Sequence, residues 1–294
     1  MKYKKTVYYL LSGLLIIGLG SSALLSGNAG TGGKSSDDQI RLIVRGDDMG
    51  FCHAANLGCI EAYKKGIVTT AEVMVPPAWF DEAAKMLNEN PGLDVGIHLT
   101  VTSEWDIYKW KPVLPVTQVP SLVDKEGYFF SQTSEFLAAK PKMDEVEKEV
   151  RAQIKLALKK IPHITHLSYH MSAMTATPEL KAIVKKLGKE YKLSLSQYVG
   201  DKFVRWIYSV PPKNKEKALG EILENLKPGL WLFICHPGMD TPEMRAINND
   251  SDDATKRMSI HRQAVTRALT SERIKKIVEE KGIKLVSYRD LKRN

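Results

Sequence analysis

Seven short apolar runs, separated by stretches whose apolar residues recur at helical intervals, constrain this chain more than any other feature. The runs fall at 40–46, 69–75, 93–99, 164–169, 193–198, 230–235 and 283–287. Unbroken apolar runs of this length are how strands covered on both faces read, and strands alternating with helices form parallel βα units. Within 52–65, Ala55, Cys59, Ile60 and Tyr63 fall on one helical face; within 142–160, Met143, Val146, Val150, Ile154 and Leu158 do the same. Further helices are expected at 79–88, at 178–189 with Pro178 in the first turn, at 213–226, and as one long helix over about 257–280 that Gly282 ends. The fold class is therefore α/β, with about seven parallel strands. In such a sheet or barrel the strand ends collect at one face, and ligands bind there.

The 294 residues, 43% of them hydrophobic, suffice for one large core. Residues 1–29 stand apart. Lys2, Lys4 and Lys5 precede an apolar stretch from Val7 to about Leu25, and Gly27-Asn28-Ala29 offers small residues for cleavage. This reads as a signal peptide, with an uncleaved membrane anchor as the alternative. Either way the folded part is expected to be exported, periplasmic or extracellular. Residues 30–38 read as a flexible tether, and 39–294 as one barrel domain carrying an insertion at about 102–140. That insertion is rich in Trp, Tyr, Pro and Val and suits a substrate-binding lid. The formal charge is +9, of which three charges belong to the signal segment. The rest spread over amphipathic stretches, and no basic run interleaves with aromatics, so a nucleic-acid surface is not expected. Cys52, Cys59 and Cys235 match no disulfide framework or zinc-knuckle spacing and read as small buried apolar residues.

Four segments at strand ends carry chemistry. They are Arg45-Gly46-Asp47-Asp48-Met49-Gly50, Gly96-Ile97-His98-Leu99-Thr100, Thr165-His166-Leu167-Ser168-Tyr169-His170 and Cys235-His236-Pro237-Gly238. Adjacent carboxylates repel unless a cation or a proton separates their roles. Gly46 and Gly50 are expected to permit a tight bend that turns Asp47 and Asp48 into one pocket, with an ordinary Asp-rich turn as the alternative. Taken singly, His98 and His170 would read as hydrogen-bonded core residues. Their coincidence with an acidic pair at strand ends singles them out, because one carboxylate and two imidazoles form a facial triad with open coordination positions. Asp48, His98 and His170 are the expected ligands of one divalent cation, magnesium or zinc foremost, although the set also admits manganese, cobalt or nickel. His236 projects from its strand end because Pro237 and Gly238 turn the chain there, and it suits a general acid near the metal, with a turn histidine bonded to backbone as the alternative. His53, His163, His166 and His261 are expected to be structural or solvent-exposed.

These segments, in this order and joined by Asp240-Thr241-Pro242-Glu243-Met244 and His261-Arg262-Gln263, resemble the YdjC-like (ChbG/HpnK) carbohydrate deacetylases over nearly all of the chain after residue 39. The resemblance implies a distorted, incomplete (β/α) barrel, one divalent metal, and removal of N-acetyl groups from amino sugars or short chitin-type oligosaccharides. Carried over position by position, Asp47 matches the general base, Asp48, His98 and His170 the metal ligands, and His236 the acid or substrate-binding position. Arg262 is expected to bind substrate, together with Trp105, Tyr108 and Trp110 of the insertion, whose rings could stack on sugar faces or form a flap over the barrel mouth. Two positions depart from the family. The residue before the Tyr-His pair is often acidic and is Ser168 here; the segment after Arg262 often carries a glutamate, and here Ala264-Val265 is apolar. Such places orient ligands, so a carbohydrate-binding protein with weakened catalysis is the alternative to an enzyme. A metal-dependent hydrolase of another ester or amide is a third reading. The expected partner is a small carbohydrate, and a membrane only through an uncleaved N-terminal segment.

Overall fold

The computed structural model describes residues 38–247 and 257–291. The segment read as a signal peptide and nearly all of the tether lie outside the described residues. Among the described residues no helix is long and apolar enough to cross a membrane. The chain runs β1 (Ile40–Met49), α1 (His53–Lys64), β2 (Thr70–Val73), α2 (Phe80–Asn88) and β3 (Asp94–Leu99). The insertion follows, with α3 (Thr133–Ala138), and then α4 (Met143–Lys160), β4 (His166–Tyr169), α5 (Pro178–Tyr191), β5 (Ser194–Leu195) and β6 (Lys202–Phe203). The remainder is α6 (Lys215–Glu224), β7 (Gly229–Cys235), α7 (Pro242–Ile247), α8 (Met258–Thr270), α9 (Glu272–Glu280) and β8 (Lys284–Leu285).

Every pairing in the sheet is parallel, in the order β5-β4-β3-β2-β1-β7-β6, with β8 also on β1. The terminal strands β5 and β6 do not pair with each other, so the curled sheet is an incomplete barrel. The seven expected strands are present; β6, two exposed residues without an apolar run, is additional. Two expectations need correction. The long helix over 257–280 is two helices broken at Ser271, whose ψ of 135° is extended. The Thr270 hydroxyl donates back to Thr266 O, the kind of local bond that competes with helix continuation. The strand expected over 193–198 stops at Leu195, and Gln197 turns away with a φ of 66°.

The two faces of the sheet explain why the strands read as nearly continuous apolar runs. Leu42, Val44, Val73, Val95, Ile97 and Leu167 join the helices in the large core, while Ile43, Leu232, Ile234, Val286 and Tyr288 form a separate cluster on the other face. Burying each such aliphatic side chain contributes about 1.5–3 kcal/mol. The insertion is a packed wall. Its Trp110, Leu122, Phe129 and Phe136 are buried, and α4 holds it from below. Glu149 accepts from the Val113 and Leu114 N–H groups at 2.9 and 3.0 Å, and Glu145 from Ser121 N–H at 2.8 Å.

Candidate metal and catalytic site

Contrary to the expected bend after Gly46, β1 continues through Asp47 and Asp48 to Met49. An irregularity interrupts its pairing with β2 between Gly46 and Met49, and Asp48 itself adopts a left-handed φ of 69°. Aspartate is among the few non-glycine residues that tolerate this region. This bulge lets neighbouring side chains share one cavity, where a regular strand would point them to opposite faces. Gly50 then turns the chain into α1 with a φ of 93°, its N–H donating to Asn56 Oδ1 at 2.6 Å.

The two aspartates are held differently. Arg45 donates to Asp47 through Nε to Oδ1 and Nη2 to Oδ2, both at 2.7 Å, and to Ser196 Oγ at 2.6 Å. Burial raises the Asp47 pKa and Arg45 opposes it, leaving it at about 7. Asp48 accepts from Arg262 Nη2 at 2.7 Å through Oδ2, while its Oδ1 is buried without a hydrogen-bond partner. Burial acts to raise Asp48 as well, but Arg262, His236 and His170 outweigh it and hold the carboxylate well below its ordinary value.

That orphaned Oδ1 lies 3.6 Å from His98 Nε2 and 3.4 Å from His170 Nδ1. One ligand atom from each of Asp48, His98 and His170 lies within 4.8 Å of the others, and all three residues are buried. An ionised carboxylate oxygen without a partner is costly to bury, and a cation shared with two imidazoles would satisfy it. The residues therefore fit a divalent metal. The far nitrogens are engaged too: His170 Nε2 with Glu104 Oε2 at 2.9 Å, and His98 Nδ1 with Ser168 Oγ at 2.7 Å. Burial, with His170 nearby, pushes His98 well below its ordinary value and keeps it neutral, as a ligand must be. For His170, burial is overcome by Glu104 and Asp48, which raise it to about 10. A cation would enter this site in exchange for a proton.

His236 leaves the end of β7 with Nε2 4.0 Å from Asp48 Oδ2. Its ring lies nearly parallel to Trp206 at 6.2 Å and meets Tyr208 edge-on at 5.7 Å. Burial, aided by Arg262 against the pull of Asp48, lowers it to about 4. The turn after it rests on α1, where a side chain at Gly58 would overlap the Gly238 backbone. Glu243 fastens the same region by accepting from the first N–H groups of α1, at His53 and Ala54.

A cavity of about 480 Å³ joins these groups, lined among others by Asp47, Asp48, His98, His170, His236 and Trp105. Asp48, Met171, Ser172 and Gln197 all line it and all have positive φ, a clustering of backbone strain of the kind functional sites show. The aromatic expectations divide. Trp105 faces the cavity, but Tyr108 donates to Phe51 O at 2.9 Å and Trp110 is buried, with Nε1 donating to Thr102 O at 2.8 Å. Trp110 and Tyr108 pack as wall, with Trp110 edge-on to His170 at 6.1 Å. Arg262, expected against substrate, has its Nη2 committed to Asp48.

Sequence reasoning missed Arg45, Glu72, Glu104, Trp206 and Tyr208. A charged residue inside a buried apolar run, as at Arg45 and Glu72, was the available signal. His166, expected to be structural or exposed, is completely buried, with Nε2 2.6 Å from Glu72 Oε1. The three cysteines are free and buried.

The sequence profile described as YdjC-like protein matches residues 41–280. A protein named carbohydrate deacetylase from Enterococcus faecalis is 30% identical over 271 residues, covering 85% of this chain and 98% of the relative. One of the same name from Thermus thermophilus is 34% identical over 232 residues, covering 70% and 80%. A crystal structure from Enterococcus faecalis V583, described provisionally as a cellobiose-phosphate cleavage protein, superposes with a TM-score of 0.72 at 27% identity, covering 85% of this chain and 98% of that one.

Proposed function

This chain belongs to the YdjC-like protein family, and from that premise we propose that it is a metal-dependent carbohydrate deacetylase, removing N-acetyl groups from amino sugars or short chitin-type oligosaccharides. The observation that carries the reading is the unpartnered Asp48 Oδ1 facing His98 and His170, one residue from a carboxylate with a pKa of about 7. A divalent cation held by these three side chains, magnesium or zinc foremost, would supply Lewis acidity to an acetyl carbonyl and to a water.

The protein's own groups do the rest. Asp47 accepts the proton of the attacking water, and its pKa near neutrality suits a general base. Arg45 holds both Asp47 oxygens, so the base keeps its orientation through the reaction. His236 is neutral at rest. Negative charge developing beside it raises its proton affinity, so it can take up a proton from solvent in the cavity and hand that proton to the departing nitrogen. Acetate and a free amino sugar are the products. Trp105, with Trp206 and Tyr208, offers ring faces to a sugar. Export rests on the basic and apolar N-terminal segment, and N-terminal sequencing of the mature protein checks it.

Acetate release from N-acetylated chitin oligosaccharides, measured with magnesium, zinc, manganese, cobalt or nickel in turn, tests the activity. Cation-dependent release that disappears in Asp47→Asn is the expected result. Sugar binding without release under any metal would support a binding protein instead, and release only from other esters or amides would move the substrate class.

A further inference from the structure

The geometry points to Glu72 and Ser168 as a paired positioning device for His98, in which the serine hydroxyl links a buried carboxylate to the imidazole. The inference rests on the reading of His98 as a metal ligand. Strand register brings the parts together. Glu72 pairs with Gly96 between β2 and β3; Gly96 pairs with His166 and His98 with Ser168 between β3 and β4. Because side chains alternate along a strand, Glu72, His98, His166 and Ser168 point to one face. Glu72, His166 and Ser168 are fully buried.

The hydrogen bonds of Ser168 determine the tautomer of His98. The Glu72 carboxylate accepts from Ser168 Oγ through Oε2 in a short hydrogen bond, and its Oε1 lies 2.6 Å from His166 Nε2. Burial acts to raise Glu72, but His166, Arg45 and Ser168 outweigh it and bring it down to about 2, so it is ionised. An ionised carboxylate only accepts, so the one hydroxyl hydrogen of Ser168 is committed to Glu72. The Ser168 oxygen, 2.7 Å from His98 Nδ1, is left as an acceptor. His98 must donate there through Nδ1–H, which leaves the Nε2 lone pair facing Asp48 Oδ1 at 3.6 Å.

Gly96 supports this reading independently. A side chain there would overlap Glu72 Oε2 and His166 Nε2, so glycine opens the space in which the carboxylate sits. The acidic group that family resemblance expects at position 168 is thus supplied from β2 through the serine. His170 shows the direct version of the same support, with Glu104 on its far nitrogen. Carboxylates that hold a ligand's outer nitrogen set its tautomer and raise its basicity, and their loss typically weakens metal binding about 10–100-fold.

Two measurements on the full chain test the device. Nitrogen-15 NMR of the metal-free protein reads which His98 nitrogen carries the proton, with assignment by comparison with His98→Gln. Calorimetric titration with Co²⁺ reads ligation. We expect the proton on Nδ1 in the wild type, loss of that single tautomer in Ser168→Ala, and Co²⁺ affinity weakened about 10–100-fold. Glu72→Gln should weaken binding less, since its amide oxygen still accepts from Ser168. The double variant Glu72→Ser, Ser168→Asp sets a carboxylate directly against His98 and should recover the affinity; failure to recover it would overturn the part given to the carboxylate. A folded Ser168→Ala with unchanged tautomer and unchanged Co²⁺ affinity overturns the inference, and this variant serves even where Glu72→Gln does not fold. A wild type that binds no Co²⁺ or other divalent cation overturns the metal reading instead, while the NMR measurement still decides whether Ser168 sets the tautomer.

Discussion

At the floor of the cavity Asp47, Asp48, His98 and His170 are 2–3% exposed, whereas at its rim Trp206 and Tyr208 are 46% and 51% exposed. The floor is built from strand ends, and its polar side chains are held by neighbours: Asp47 by Arg45 of the same strand, Asp48 by Arg262 of α8, His98 by Ser168 of β4. The rim is built from segments between elements and is held at few points. Lys215, for instance, donates from α6 to Ile207 O and Tyr208 O at 2.7 and 2.9 Å. Under the proposed function, the difference separates two jobs. Chemistry requires atoms whose spacing cannot drift, which parallel register supplies; recognition of a sugar face tolerates a looser ring.

Substitutions can break or sharpen this contrast. The largest effect is expected at the floor: Asp48→Ala removes the only carboxylate of the proposed cation site among the described residues, and both cation binding and acetate release should fall below detection in calorimetry and assay. Next comes the pH response. With Asp47 at about 7, its base form falls tenfold per pH unit well below that value, so kcat/KM should decline on the acid side. A cation bound beside it would pull the midpoint lower, as Arg45 does. Arg45→Met should therefore move the acid limb to higher pH and, by leaving a buried carboxylate unpaired, destabilise the fold by about 3–5 kcal/mol in denaturant titration. The smallest effects belong to the rim. Trp206→Ala should raise KM for oligosaccharides roughly two- to tenfold with kcat little changed, the size of a lost aromatic contact. Trp110→Phe should leave KM alone and lower stability by about 1 kcal/mol through the lost bond to Thr102 O, which thermal unfolding would register. Equal KM effects from Trp206 and Trp110 would erase the distinction between rim and wall.

Much of the floor was legible in the sequence. Asp48, His98 and His170 each close a segment marked by an apolar run, and parallel strands deliver such ends to one face. Their support was not. Glu72 lies in a buried strand of four residues, too short for its alternation to stand out, and its partners His166 and Ser168 are 94 and 96 residues away. Trp206 and Tyr208 sit in a stretch with no period at all. The expectation of a bend after Gly46 failed for a local reason: the left-handed turn fell on Asp48, which tolerates it, and not on the glycine.

The order of apolar runs and amphipathic stretches determined the parallel sheet, the helices around it and the face on which acidic and imidazole side chains gather, because two-sided burial leaves a mark in every strand. Which oxygen of Asp48 is left open, which nitrogen of each histidine faces it, and which distant carboxylate stands behind His98 were decided only by tertiary structure. Those depend on register between strands far apart in the chain, where a shift of one residue would turn every side chain to the other face.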